Sequence, residues 1–163
     1  MFNYCNNLVL APKILPSKTM GRYCCFYMFG SCTSLTTAPE LPAMTLASSC
    51  YGCMFSGCSS LLEAPKLPAT RLESKCYDFM FSSCTSLTTA PELPATYLAY
   101  ACYQYMFNGC LKLNYVKALF VSAPGDNTKY WLSGVASSGT FVKNAAATWN
   151  VVGADGVPEG WTV

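Results

Sequence analysis

The sequence predicts an α/β solenoid, with a short-stranded parallel sheet on one side, a row of short helices on the other and a small cap at the C-terminal end. Three observations predict it. A 26-residue unit recurs through residues 1 to about 120, the hydrophobic spacing changes character within each unit, and the pattern breaks after Leu113. One such unit cannot bury its own apolar face, so successive units have to stack and share a core.

The repeat is read from columns of identical residues. Units start at Met1, Met28, Met54, Met80 and Met106, each Met followed by Phe or, at Met28, by Phe29. Four residues after each Met stands a cysteine (Cys5, Cys32, Cys58, Cys84, Cys110), and three further on a leucine (Leu8, Leu35, Leu61, Leu87, Leu113). Ala-Pro follows at Ala38-Pro39, Ala64-Pro65 and Ala90-Pro91, then Leu-Pro at Leu41-Pro42, Leu67-Pro68 and Leu93-Pro94. The first unit carries the same pairs, lengthened by Ile14.

Each element of the unit follows from its spacing. Leu46, Cys50, Met54 and Phe55 stand at steps of four, four and one, as do Leu72, Cys76, Met80 and Phe81, and Leu98, Cys102, Met106 and Phe107. This spacing predicts one face of a short helix, with Pro42, Pro68 and Pro94 ahead of it and Thr45, Thr70 and Thr96 as caps. It argues against a parallel β-helix, whose side chains alternate by two. The stretch Leu35-Thr36-Thr37-Ala38 and its equivalents predict a brief strand that ends at Ala-Pro, because proline removes a ladder donor.

The repeat array is assigned to residues 1–115 and a capping segment to 116–163. In the latter, Asn114 to Val121 predicts a fuller strand, Asn127 or Thr128 the cap of a short helix through Leu132, and Gly139–Val142 and Thr148–Val152 two further strands. Trp131, Trp149 and Trp161 are the only tryptophans, and large apolar rings suit the covering of an open stack end. At the other end the chain begins at the repeat's own Met, so an N-terminal extension or end-to-end self-association is expected there.

The segment Met80-Phe81-Ser82-Ser83-Cys84-Thr85-Ser86-Leu87-Thr88-Thr89-Ala90-Pro91 resembles the leucine-rich repeat of the Bacteroides surface protein A (BspA-like) family, which carries an aromatic, Cys and Leu at this spacing. The resemblance spans residues 1 to about 120, and departs from the family where its usual strand isoleucines are replaced by Ala-Pro-Glu-Leu-Pro. The tail from Trp131 to Val163 is similar to a segment that follows such repeats in gut-bacterial proteins. The resemblance implies a leucine-rich-repeat solenoid, an extracellular or cell-surface location, and adhesion to host or bacterial surface macromolecules. The chain itself shows no signal peptide, which on its own points weakly to the cytoplasm.

Composition narrows the chemistry. There is no histidine, which removes histidine-based triads and the commonest metal ligand. Eight carboxylates are scattered, and the glycines match no nucleotide fingerprint, so neither catalytic residues nor a cofactor are expected. A net charge of +2 with dispersed basic residues disfavours nucleic-acid binding, and no apolar run approaches the length of a membrane span. Nine of eleven cysteines fall in two repeat columns and are read as buried free thiols, with one or two disulfides, or a metal at Cys50-Tyr51-Gly52-Cys53, as alternatives. No metal ligand set is assigned, since no second pair of ligands is present.

The expected function is therefore a surface-displayed repeat protein that binds macromolecules through the exposed side of its strands. Thr37, Glu40, Glu63, Lys66, Thr89 and Glu92 are the candidate contacts. The column Lys13, Glu40, Lys66, Glu92 alternates in sign and also reads as a ladder that sets register. Tyr51, Tyr77 and Tyr103 form a further column that fits either a contact surface or packing. Rival expectations are a spacer or phage-fibre-like element without its own ligand, and carbohydrate binding through the tryptophan-rich tail.

Overall fold

The computed structural model describes residues 2–163; Met1, the first residue of the repeat column, lies outside them. Successive 26-residue units lie over one another as irregular coils joined by parallel backbone hydrogen bonds. The α/β solenoid with a row of helices is not what forms. Among the described residues there is no α-helix, only a 3-10 turn at Gly125–Thr128, and one two-stranded parallel sheet in which β1 (Tyr115–Ala118) pairs with β2 (Thr140–Lys143).

The segments expected to be helical are chains of overlapping four-residue turns. In the unit from Ser49 to Cys58, the N–H groups of Cys50, Gly52, Met54, Ser56 and Cys58 donate three residues back, to Ala47, Ser49, Tyr51, Cys53 and Phe55. The N–H groups between them, of Ser49, Tyr51, Cys53, Phe55 and Gly57, donate instead to the next coil, at Ser74, Cys76, Asp78, Met80 and Ser82, over 2.7–3.1 Å. The carbonyls of Cys50, Gly52, Met54 and Ser56 accept in turn from Cys25, Tyr27, Phe29 and Ser31 of the coil before. Buried backbone groups are thus paired without a helix. Thr45, Thr70 and Thr96 accordingly have no helix to cap; Thr45 instead bridges to Thr19.

Every fourth residue of this face has a left-handed backbone: Tyr23, Tyr27 and Ser31; Ser49, Cys53 and Gly57; Lys75, Phe79 and Ser83; Ala101, Tyr105 and Gly109. This is the origin of the four-residue spacing. A turn that repeats every four residues returns Leu46, Cys50, Met54 and Cys58 to the same inner side, as a helix of 3.6 residues per turn also would approximately. The composition distinguishes the two. Ser48-Ser49-Cys50-Tyr51-Gly52 and Ser56-Gly57-Cys58-Ser59-Ser60 are rich in turn formers and lack the Ala, Leu, Glu and Lys that favour helix.

Stacking of like on like fills the interior. Phe2, Phe29, Phe55, Phe81 and Phe107 form one file with ring centroids 5.4–5.6 Å apart and planes within 6° of parallel. Tyr51, Tyr77 and Tyr103 form a second at 6.0 Å, buried, so this column is packing and not contact surface. Leu35, Leu61, Leu87 and Leu113 are fully buried in the same cluster. The thiols of Cys58, Cys84 and Cys110 donate to the carbonyls of Phe29, Phe55 and Phe81 in the preceding coil at 3.1–3.2 Å, where each carbonyl also accepts an N–H from its own turn. All eleven cysteines are free.

The tail continues the same scheme. Tyr103, Tyr105, Phe107 and Gly109 donate to the carbonyls of Asn127, Lys129, Trp131 and Ser133. The next segment closes this face: Tyr130 N–H donates to the Asp155 carboxylate at 2.6 Å, and Leu132 N–H to the Ala154 carbonyl. The fuller strand expected over Asn114–Val121 reduces to β1, while the strand expected over Gly139–Val142 forms as β2, one residue further on. Gly139 is needed where it stands, because a Cβ there would lie 2.4 Å from the Asn114 carbonyl oxygen. Thr148–Val152 is not a strand; only Val152 bridges, to Val157. The helix expected through Leu132 is replaced by turns after the 3-10 segment.

Two outcomes test this packing. Phe81→Ala, which opens the middle of the phenylalanine file, is expected to lower unfolding free energy by about 3–5 kcal/mol in urea titrations. Ser83 has φ 60° where the adjacent coils have Gly57 and Gly109, so Ser83→Gly is expected to raise stability by about 0.5–1 kcal/mol, the left-handed strain relieved exceeding the entropy that glycine loses.

Candidate functional site

On the strand side the Ala-Pro and Leu-Pro pairs bend each coil and interrupt its bonding to the next. Proline has no N–H to give, and its fixed φ holds the chain away from a regular ladder. Leu15, Glu40 and Leu93 donate their N–H groups to Glu40, Lys13 and Lys117 of neighbouring coils. The N–H groups of Leu41, Lys66, Leu67 and Glu92 reach no such carbonyl among the described residues. The coils part here, leaving depressions of about 520 Å³ between the second and third units and about 420 and 520 Å³ between the third and fourth.

These depressions adjoin and form one trough. Its floor is Ala38-Pro39, Ala64-Pro65 and the Pro91 that follows Ala90. One wall is the exposed column Thr37, Glu63, Thr89, tied along the stack by bridges Leu10–Thr37, Thr37–Glu63 and Thr89–Tyr115. The other wall is the exposed column Glu40, Lys66, Glu92. All six candidate contacts from the sequence therefore line the same feature. Within it, the sign-alternating column does not close into a ladder of ion pairs. Glu92 pairs with Lys117 at 2.8 Å, while Lys66 lies within ion-pair distance of neither Glu40 nor Glu92. Lys117 was not among the candidates, although its position 25 residues after Glu92 continues the column.

The tryptophans are placed differently. Trp131, Trp149 and Trp161 are 0%, 5% and 8% exposed, and their indole N–H groups donate to the carbonyls of Gly156, Phe120 and Ala136. Trp149 stacks on Phe120 with centroids 4.9 Å apart, and Lys143 Nζ lies 4.9 Å from its ring centre. The three rings fill the end of the stack.

Burial acts on the inner thiols, whereas Cys5 and Cys24, read from their columns as buried, are exposed. Desolvation raises the Cys50 and Cys53 thiols to about 11 and Cys58 to about 12, so the Cys50–Cys53 spacing holds protonated sulfurs, poor as nucleophiles or ligands. Among the described residues no group of three or more His, Cys, Asp or Glu side chains comes together. No helix among them is long and apolar enough to cross a membrane. No family model, no curated protein and no solved structure matches the chain.

One ionisable group on the turn face is strained by its surroundings. Asp78 Oδ1 is sealed from solvent without a hydrogen-bond partner, and burial pushes the carboxyl up to about 6, against an opposing pull from Lys75. A carboxyl raised on folding binds its proton more tightly in the native state. Its stabilising contribution is complete below the ordinary carboxylate pKa and declines as pH rises to about 6. Asp78→Asn is expected to raise the urea midpoint at pH 7 and to flatten the fall in stability between about pH 4 and 6 that the parent is expected to show.

Proposed function

We propose that this chain is a non-enzymatic repeat protein, secreted or displayed at a cell surface, that binds a partner protein through the trough on its proline face. The observation that carries the reading is the convergence of Thr37, Glu40, Glu63, Lys66, Thr89 and Glu92 on one continuous depression with an apolar floor. Apolar floors with a few fixed polar heads are what recognition grooves use, the floor for affinity and the heads for orientation. The likeness of the repeat to BspA-like proteins supports the location and the adhesive role.

Binding is tested on a printed array of extracellular-matrix proteins, bacterial surface proteins and glycans. Retention is expected on protein spots, reduced about tenfold by Glu40→Ala combined with Lys66→Ala. Both side chains are exposed, so the variant's melting curve is expected to match the parent's. Retention by glycans alone, or protein retention indifferent to the two substitutions, overturns the reading.

A further inference from the structure

The trough has features that specify more than a generic partner. It runs along the stack axis, crossing three coils, and is narrow, since only the Ala-Pro dipeptide separates its two walls. Its walls carry the carboxylates of Glu40 and Glu63, which enter no ion pair among the described residues, beside Lys66, and that of Glu92, which is paired with Lys117 at 2.8 Å. Its flanks also hold spare donors at two exposed residues, Lys66 on the first depression and Glu92 on the second, whose N–H groups are unclaimed by neighbouring coils among the described residues.

An occupant has to match all three. It is slender and extended, carries carbonyl oxygens free to accept, and presents positive charge. A polyproline II segment meets the first two conditions, because it has no internal hydrogen bonds and leaves its carbonyls open. Its repeat also fits. Three residues advance about 9.3 Å, and two coils at strand spacing advance about 9.6 Å. Glu40 and Glu92 are two coils apart, with Lys66 between them. A basic side chain at one ligand position thus meets Glu40 and another, three residues on, reaches Glu92 in place of Lys117, while the remaining positions, proline or another apolar residue, lie on the Ala-Pro floor. The long Glu and Lys stems absorb the small difference in repeat.

We propose that the trough binds a proline-rich segment of a partner protein in polyproline II conformation, with Lys or Arg at every third residue. This rests on the reading of the trough as a protein-binding site. The test uses the full chain and three synthetic nine-residue peptides, (Pro-Pro-Lys)3, (Pro-Pro-Glu)3 and the flexible (Gly-Ser-Lys)3, with affinity measured by calorimetry. The first is expected to bind about tenfold or more tightly than either of the others, and more weakly as salt is raised. Glu40→Gln with Glu92→Gln is expected to weaken it about fivefold to tenfold. Ala64→Trp, which fills the floor, is expected to abolish it, with the charge variant standing as the test should that chain not fold. Equal affinity for (Gly-Ser-Lys)3 overturns the proposal, as does binding of (Pro-Pro-Lys)3 that neither variant weakens. Array retention that depends on Glu40 and Lys66, with no affinity for (Pro-Pro-Lys)3, removes this occupant and leaves the trough as a protein site. Silence in both experiments removes the two readings together.

Discussion

On the turn face each amide N–H has one of two destinations, and the choice alternates along the chain: Tyr51 gives its proton to Cys76 of the next coil, Gly52 to Ser49 of its own. A helix would consume all of these donors internally and leave nothing to hold the neighbouring coil. Dividing them lets one stretch of backbone close its own turns and bind its neighbour, with buried polar groups satisfied on both counts. The division requires a left-handed residue every fourth position, at about 1–2 kcal/mol for each that is not glycine. Aromatic stacking offsets part of this at the same positions. Phe79 and Tyr105, both left-handed, stack at 4.3 Å, and Tyr105 stacks on Tyr130 at 5.3 Å, each such pair contributing about 0.5–1.5 kcal/mol.

Registry of the coils then determines the interior. Once Phe55 donates to Met80 and Phe81 to Met106, phenylalanine can lie only over phenylalanine, and the cysteine four residues after the Met lies under the preceding phenylalanine's carbonyl. A sulfhydryl is small enough for that place and supplies a weak donor there. The proline face is the complement of this order. There the cross-coil bonds lapse, the coils part, and the opening carries exposed charges.

The residues themselves showed which side chains lie inside. Leu35, Leu61, Leu87 and Leu113, the inner cysteines from Cys32 to Cys110 and the phenylalanine file follow from the columns, because a repeated apolar residue in a stacked array has to meet its own copies. The exposure of Thr37, Glu40 and Glu92 was legible for the converse reason. Backbone conformation was not. Four-residue spacing suits a helix and a chain of turns equally well, and the deciding signal was the Ser and Gly between the apolar positions, above all Gly57 and Gly109. The trough was hidden because it arises from bonds that prolines prevent, while the sequence shows only the prolines. Thr148–Val152 alternates like a strand, but a strand needs a neighbour of matching register, and that stretch of chain finds only an isolated bridge.

Because every cross-coil bond of the turn face points the same way, the molecule has a vector. Its amide dipoles add along the axis as they do in a helix. At its far end the turn-face donors of Tyr130 and Leu132 are taken up by the Asp155 carboxylate and the Ala154 carbonyl, which places a carboxylate at the positive end of that vector.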